Sequence, residues 1–315
     1  MILKLILTRV GTAALTLLAV SAVIFATVEV LPGDVAVRVL GQMSSPEQRR
    51  VFRDRLHLDV PAPIRYVEWL ERAVHGDFGR SFVNQRDVAS VIMPRLRITL
   101  LLSIYAFTLY LPVTIVFAVL GAVFHGQTID LLVSTATLLA FSLPEFVFGT
   151  LLIVIFVLHV PWFPAMSLID QAKNPIEFLW IAALPAITLT VRMAAYPIRM
   201  LRDNLIEVLD SEYVRMAVLN GLPAQKILLR HILPNALGPA LNITALNMAY
   251  VIGGVVVVEN LFAIPGIGSL LVDSISLRDV PVVEAAILLV SLVYILGNLV
   301  ADLGAVLSNP RIGAL

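Results

Sequence analysis

The chain has 315 residues, of which 59% are hydrophobic and 14% are charged, and it contains no cysteine. A soluble domain carries about 25% charged residues and cannot bury so much apolar surface, so the composition excludes a water-soluble protein and predicts a membrane protein. The formal net charge is zero, which gives no reason to expect a nucleic-acid partner, and the lack of cysteine excludes disulfides and thiolate metal sites.

The first apolar run follows Lys4 and Arg9 and extends from Val10 to Leu31. Its length is about the twenty residues that a helix needs to cross a bilayer. A cleaved signal peptide has a shorter apolar region with a small-residue cleavage site close behind it. We therefore interpret residues 1–31 as a retained first transmembrane helix that enters from the cytoplasm.

A long polar region follows at residues 32–97, beginning with Pro32-Gly33-Asp34, which ends the first helix. It contains amphipathic pieces and the turn-rich stretch 75–81. Its many arginines would place it inside the cell by a simple count of basic residues. The region is longer than the roughly 60 residues within which the positive-inside rule is reliable. The count of basic residues therefore does not decide on which side of the membrane the region lies.

Five further apolar runs predict five more membrane-crossing helices, giving six in all. Several of them contain breakers, among them Pro112, Pro144 and Gly253-Gly254. Proline in a span is tolerated only against protein or a wet cavity, and Pro144 predicts a kink or a tilt in the long third run. The five runs are 98–123, 129–159, 178–198, 238–262 and 282–306.

A polar segment at residues 211–239 separates the fourth and fifth runs, and its basic residues favour the cytoplasm. Gly221 can adopt a positive φ and end one helix, and Leu222-Pro223 can begin the next. The pattern predicts two short helices joined by an elbow, with no catalytic group, suited to contact another protein. A plain polar connection is the alternative. Apolar residues fall at helical spacing on either side of the elbow: Tyr213, Val214, Ala217 and Val218 before it, and Ile227, Leu228, Ile232 and Leu233 after it.

This segment resembles the cytoplasmic coupling loop of permease subunits in ATP-binding-cassette (ABC) importers, in the form found in peptide and nickel importers. The Glu-Ala-Ala triplet that names the loop falls at Arg215-Met216-Ala217, so only its last alanine is kept. The matching residues are Tyr213-Val214-Arg215, Ala217, Gly221-Leu222, Arg230-His231, Leu233 and Asn235-Ala236.

The resemblance extends over nearly the whole chain. The stretches 31–36, 56–70 and 76–82 are similar to the external region between the first two spans of peptide-type permeases, and ILGNLVADL at 295–303 is similar to their last span. The stretch 253–288 is a second strong match, through Gly253-Gly254, Glu259, Phe262, Pro265-Gly266, Gly268, Asp279 and Pro281.

The resemblance implies an all-α polytopic membrane protein with six transmembrane helices, the type I ABC importer permease fold and an external insertion after the first helix. Localisation in the inner membrane of a bacterium or archaeon, with both termini in the cytoplasm, follows from it. The implied regions are the first helix at 1–31, an external cap at 32–97, a permease core of five helices at 98–306 containing the coupling loop 201–235, and a cytoplasmic tail at 307–315.

The same resemblance implies that the chain forms half of an ATP-driven pathway for peptides or a related small solute. The expected partners are a second homologous permease, two ATPase subunits and an extracytoplasmic solute-binding protein. The chain has no G-x-x-x-x-G-K-[ST] phosphate loop, so it is not expected to be an enzyme, and ATP and Mg would bind to the ATPase subunits. Similar permeases carry nickel, glutathione, opines or sugars, which remain alternative substrates. No metal site is expected from its five histidines.

Two groups of candidate residues follow. The coupling residues implied by the resemblance are Glu212, Tyr213, Arg215, Ala217, Gly221, Leu222, Arg230 and His231. A polar group inside a span usually faces a partner or a wet cavity, which makes Glu145, Asn247, Glu259 and Asn298 candidates for lining the pathway.

Glu145 directly follows Pro144, where helical hydrogen bonding is already disturbed. We hypothesise that Glu145 lines the pathway and meets a cationic group of the substrate. The alternative is a carboxyl held by hydroxyls or amides of a neighbouring helix. For Glu259, near the outer end of the fifth run, a structural hydrogen bond is an equal alternative.

A secondary transporter is the main alternative of another class. Such proteins often contain inverted repeats, which we do not find here, and the polar segment around Gly221 would then have no role. An intramembrane enzyme would need paired carboxylates or a nucleophile with its base at one depth, and an ion channel would need a repeated filter segment. The sequence favours neither.

Overall fold

The computed structural model describes residues 2–30, 44–55, 60–164, 166–233, 236, 244 and 254–308, and these residues contain no β-strand. The only pairing of the β type in them is an isolated bridge between Arg80 and Asp87. The all-α class is thereby confirmed. The helices are α1 (Ile2–Val30), α2 (Pro46–Arg55), α3 (Ala62–Val74), α4 (Val88–Val123), α5 (Thr128–Ser142), α6 (Glu145–Ile153) with a π-helical turn (Val154–His159), α7 (Pro175–Ile181), α8 (Ala183–Leu209), α9 (Glu212–Leu219), α10 (Ala224–Ile227) with a π-helical turn (Leu228–Ile232), a helical segment at 254–261, α11 (Ile267–Leu277) and α12 (Val280–Ser308).

Three described helices are each long and apolar enough to cross a bilayer: Thr8–Thr27 within α1, all of α4, and Val280–Leu299 within α12. Two bent pairs qualify when each pair counts as one span: α5 with α6 and its π-helical turn, and α7 with α8. The described residues therefore hold three to five spans. The predicted fifth span, 238–262, lies largely outside them, so the total of six remains a prediction.

The predicted kink at Pro144 is confirmed, and it is a complete break between two helices that meet at 109°. Leu143 and Pro144 both have extended backbone angles, and α6 begins at Glu145. Proline has no N–H and forces the preceding residue out of the helical region, so α5 cannot continue. The Pro144 carbonyl accepts hydrogen bonds from the amides of Val147 and Phe148, at 3.0 and 3.2 Å, which starts the new helix.

Helix α4 begins at Val88, within the predicted cap region, so the predicted start of the second span at 98 is wrong for the helix itself. Asp87 provides the start, because its Oδ2 accepts a hydrogen bond of 2.9 Å from the Ser90 amide. Val88 and Ile92 are completely buried and hold this first part of α4 in a hydrophobic core. Arg95 and Arg97 interrupt the apolar run and obscure its true beginning.

One compact unit comprises Met1–Thr99 and Pro265–Ile295. Its core joins α4, α11 and α12, and the Thr99 hydroxyl oxygen accepts a hydrogen bond of 2.9 Å from the Ile267 amide. Helix α3 packs on α1, where the hydroxyls of Tyr66 and Ser21 are 2.8 Å apart. The buried core residues are Phe78, Val88, Ile92, Ile267, Leu270, Val282, Ala285 and Ala286.

Asp279 connects two stretches that the resemblance singled out separately. It lies in the turn between α11 and α12, and its Oδ1 accepts a hydrogen bond of 2.8 Å from the Phe82 amide. Its Oδ2 accepts a hydrogen bond from the Ser81 hydroxyl, and both side chains are buried. The turn-rich stretch at 76–82 and the stretch at 253–288 therefore meet at one carboxylate.

The second compact unit comprises Leu100–Ile264 and Leu296–Leu315 and is built around α8. Helices α5, α6, α7 and α9 and the π-helical turn Leu228–Ile232 all pack against α8. The Thr190 hydroxyl on α8 donates to the Ala106 carbonyl on α4, at 3.0 Å. The buried large side chains of α8 recur every three to five residues and so follow one side of the helix, at Leu184, Leu189, Met193, Ile198, Leu201 and Leu205.

We expect Asp279→Ala to destabilise the first unit by about 2 kcal/mol, because it removes the acceptor of two buried donors. The measurement is the thermal unfolding midpoint of the purified protein in detergent. Asp273→Ala is the matched control, since Asp273 is exposed on the preceding helix α11. Equal midpoints for the two variants would contradict a structural role of the carboxylate.

Candidate coupling surface and buried acidic site

Helix α9 follows α8 after a turn at Asp210 and Ser211. The Asp210 and Ser211 amides donate to the Ile206 and Val208 carbonyls, both at 3.1 Å, so the turn closes on the end of α8. Glu212 lies in the first turn of α9, where a negative charge is favoured by the helix dipole. The backbone connection fixes the direction of α9 relative to α8.

The predicted elbow at Gly221 is confirmed. Gly221 has a φ of +70°, its amide donates to the Val218 carbonyl at 2.9 Å, and the Leu222 amide donates to the Ala217 carbonyl at 3.3 Å. These two bonds form a Schellman motif, which ends a helix at a residue with positive φ. Pro223 then opens α10, since its carbonyl accepts from the Lys226 and Ile227 amides at 2.9 and 3.1 Å.

Helix α9 buries a narrow face made by Val214 and Ala217. The prediction that Tyr213 and Val218 share this face is wrong, because their side chains are 44% and 58% exposed. On so short a helix, residues three apart lie on the same face, and only this narrow face of α9 is covered by its neighbours. The two flanking positions therefore remain in solvent.

The opposite face of α9 carries two exposed apolar side chains, Met216 and Leu219, with exposures of 57% and 75%. At 100° per residue they lie on the side of the helix away from Val214 and Ala217. Glu212 and Arg215 share this side and form an ion pair of 3.3 Å. We call these four residues the coupling surface; the apolar pair at i and i+3 was the signal that sequence reasoning missed.

The second half of the elbow continues this surface region. Ile227 and Ile232 are buried, as their helical spacing predicted, whereas Leu229 and Arg230 are exposed. Leu222 is half-buried beside the elbow. The side chain of His231 and residues 234–235 lie outside the described part of the chain.

Glu145 is the buried acidic group of the second unit. It is 8% exposed at the start of α6, and its Oε1 has no hydrogen-bond partner among the described residues. The carboxylate lies directly over Gly254, where a Cβ would approach Oε1 and Oε2 to 2.8 and 2.9 Å. A larger residue at that position would have to displace the Glu145 carboxylate, so Gly254 lets this carboxylate lie against the backbone of segment 254–261. Gly253 lies outside the described residues.

Three elements meet around Glu145. The Arg192 guanidinium of α8 lies 5.0 Å from the centroid of the Phe141 ring, in the last turn of α5 before the break. Its charge also acts on Glu145. Glu259 is completely buried on segment 254–261, about 7.5 Å along that helix from Gly254.

The other two pathway candidates have different outcomes. Asn298 is half-buried on α12, and Asn247 lies outside the described residues. The described residues contain no group of three or more histidine or acidic side chains that could hold a metal ion. The buried acidic site is therefore formed by Glu145, Gly254 and the nearby charge of Arg192.

Comparison with known proteins accounts for nearly the whole sequence. Residues 112–314 match the model of the "Binding-protein-dependent transport system inner membrane component" family. Residues 2–103 match the model of the N-terminal part of such membrane components. Together the two matches include the coupling surface, the broken span and the cap region.

Full-length relatives agree with the family matches. The chain is 34% identical, over 98% of its own length and of the relative's, to a Brucella suis biovar 1 protein named for a peptide transport system permease. It is 33% identical, over 98% of both chains, to a Sinorhizobium fredii protein named for a peptide ABC transporter permease. It is 35% identical, over 94% of both chains, to the glutathione transport system permease protein of Escherichia coli K12.

These matches confirm the resemblance drawn from the coupling loop and the stretch at 253–288. They also agree with the apolar helices of the described residues, several of which are long enough to cross a bilayer. The chain belongs to the family of inner-membrane components of binding-protein-dependent transport systems, and is a multi-pass permease subunit of an ABC importer.

Proposed function

We propose that this permease subunit forms half of a pathway for short peptides, driven from the cytoplasm through the coupling surface on α9. The relatives support this substrate class, because two are named for peptide transport and the third for glutathione, which is itself a short peptide. Nickel complexes, opines and sugars are the alternatives within the family. The observation that carries the proposal is the exposed apolar pair Met216 and Leu219 on a short helix between spans.

The coupling surface has the composition of a protein contact. Met216 and Leu219 expose apolar side chains beside the charged Glu212 and Arg215, and apolar groups ringed by polar ones are typical of interfaces. We infer that it binds one of two ATPase subunits, which hold ATP and Mg. As a membrane component the chain is not itself an enzyme, and we propose that it binds no cofactor of its own.

Helix α8 supports a mechanism for using that contact. It has 27 residues and is therefore about 40 Å long, and α9 is joined to its end by the hydrogen-bonded turn at Asp210 and Ser211. When ATP draws the two ATPases together, α9 moves and α8 moves with it. ATP acts by stabilising one of two arrangements of near-rigid elements, inward-open or outward-open.

The remaining partners follow the family pattern. A second homologous permease completes the pathway, both termini lie in the cytoplasm, and residues 32–97 face an extracytoplasmic solute-binding protein. The hydrogen bonds of Asp279 to Ser81 and Phe82 support a well-ordered outer surface there.

Glu145 is the residue proposed to meet the cationic amino group of a peptide. Its buried Oε1 has no hydrogen-bond partner among the described residues. Glu145 also lies at a helix break, and irregular backbone at membrane depth is found where it is buried in protein or lines a water-filled cavity. Glu259, Asn247 and Asn298 are proposed as further lining residues. A purely structural carboxyl is the alternative for Glu145 and Glu259.

We expect Met216→Asp and Leu219→Asp each to abolish co-purification of the ATPase subunit with the permease, because a charge would be buried in an apolar contact. The measurement is a pull-down from detergent extracts of cells that express all subunits. Val218→Asp is the matched control, as it is equally exposed on the same helix but faces another direction. Retention of the ATPase by both test variants would refute the coupling surface.

We expect Gly221→Val to lower ATP-driven uptake about tenfold while membrane insertion is unchanged. A Cβ at Gly221 meets nothing within 4 Å, so the penalty is the strain of positive φ, about 1–2 kcal/mol. Uptake is measured in vesicles containing the permeases, ATPases and binding protein. Gly221→Asn is the control, because asparagine tolerates this conformation and should keep most activity. Normal uptake by the valine variant would contradict a role of the elbow conformation in coupling ATP hydrolysis to transport.

We expect Glu145→Gln to raise the KM for peptides with an unmodified amino terminus about tenfold and to leave N-acetylated peptides unaffected, since only the former offer a cation. Initial uptake rates at varied peptide concentration give the KM. Glu207→Gln, at an exposed acidic position of α8, is the control. Unchanged KM for every peptide would leave Glu145 with a structural role only.

A further inference from the structure

Asp130 and Arg202 form a buried ion pair between α5 and α8. The Arg202 guanidinium donates through Nε to Asp130 Oδ1 at 2.6 Å and through Nη2 to Oδ2 at 2.8 Å. This two-bond arrangement fixes both the distance and the orientation of the groups. The Asp130 side chain is 7% exposed and the Arg202 side chain 15%, so solvent competes little with the pair.

The carboxylate is also held by its own helix and the turn before it. The Gly126 amide donates to Asp130 Oδ2 at 2.9 Å, and Asp130 occupies the first turn of α5, where the helix dipole favours a negative charge. His125 Nδ1 lies 3.0 Å from the same oxygen. The ion pair therefore binds α8 to the α4–α5 turn as well as to α5.

The arginine is equally constrained. A Cβ on Gly121, near the end of α4, would come within 3.0 Å of Arg202 Cδ, so the aliphatic part of the side chain lies against a glycine there. Arg202 Nη1 makes a further bond of 2.6 Å to Asp203, which is largely exposed. Three segments, the end of α4, the start of α5 and α8, thus meet at one guanidinium.

The pair lies between the coupling surface and the break at Pro144. Arg202 precedes the end of α8 at Leu209 by about 10 Å, and α9 follows directly. Asp130 lies in the first turn of α5, which extends about 18 Å from there to Ser142 without a glycine or proline and ends at the break before Glu145. A movement of α8 at Arg202 can therefore be transmitted through the ion pair and along α5 to the buried acidic site.

We propose that the Asp130–Arg202 pair is a positioning element that makes α5 move with α8, so that ATPase motion at α9 reaches the break beside Glu145. The inference rests on the proposed function of the coupling surface. Apolar packing between α5 and α8 resists separation but permits sliding, whereas a two-bond ion pair fixes their register along the helix axes. Loss of the pair uncouples ATP hydrolysis from transport without preventing assembly.

The first test compares coupling in vesicles that contain the complete transporter. We expect Asp130→Asn and Arg202→Gln each to lower the number of peptides taken up per ATP hydrolysed about tenfold, within the usual range of coupling energies. Arg202→Lys should be intermediate, because lysine keeps the charge but not the forked geometry. The Asp130→Asn, Arg202→Gln double variant should be no worse than either single variant, since both remove one interaction.

Asp203→Asn is the control, because it removes the negative charge of the exposed contact of the same guanidinium and should retain the wild-type ratio. An unchanged ratio in both single variants would overturn the proposal. A wild-type complex without ATP-dependent uptake would instead refute the proposed function, so the two failures are distinguishable.

The second test measures movement directly and stays informative if a variant transports nothing. The chain lacks cysteine, so spin labels can be placed at Leu131→Cys on α5 and Glu207→Cys on α8, both exposed positions. With the pair intact, we expect the same interlabel distance in the nucleotide-free and ATP-bound complexes. Arg202→Gln should shift or broaden the ATP-bound distribution. Identical distributions in both states of the variant would show that the pair does not set this register.

Discussion

The packing of other helices against α8 is the constraint on which the second compact unit depends. The broken span α5–α6, helix α7 and the coupling helix α9 all lie against it. Its long stripe of buried side chains allows one rigid element to contact elements at both of its ends. The candidate coupling surface and the buried acidic site are about 26 Å apart along this helix, from Arg192 to Leu209. They share a mechanical support without touching each other.

Lipid as a solvent explains where the chain breaks its regular structure. In a bilayer every backbone polar group must be satisfied inside the protein, so a helix break needs compensating partners. At Pro144 the carbonyl accepts from two amides of the next helix, and the break is enclosed by α8 and segment 254–261. Burial of the Glu145 carboxyl at this point brings a polar group to a place where the backbone is already irregular.

Several features were predictable because they depend on local chemistry. The elbow at Gly221 followed from a glycine between two apolar patterns, and the break at Pro144 followed from proline. The exposed face of α9 was not predictable, because helical spacing identifies a set of apolar positions without identifying the neighbour they face. Val214 and Ala217 are buried, while Tyr213 and Val218 are not. The early start of α4 was hidden because Arg95 and Arg97 interrupt its hydrophobic run.

The sequence by itself determined that the protein lies in a membrane, that it is helical, that it has an elbow at Gly221 and that it resembles a transport family. Each of these depends on composition or on residues close together in the chain. Only the tertiary structure decided which distant groups meet. Asp279 with Ser81, Glu145 with Gly254, and Asp130 with Arg202 are contacts between residues 198, 109 and 72 positions apart. No local pattern encodes such pairs, because their distance depends on how whole helices pack.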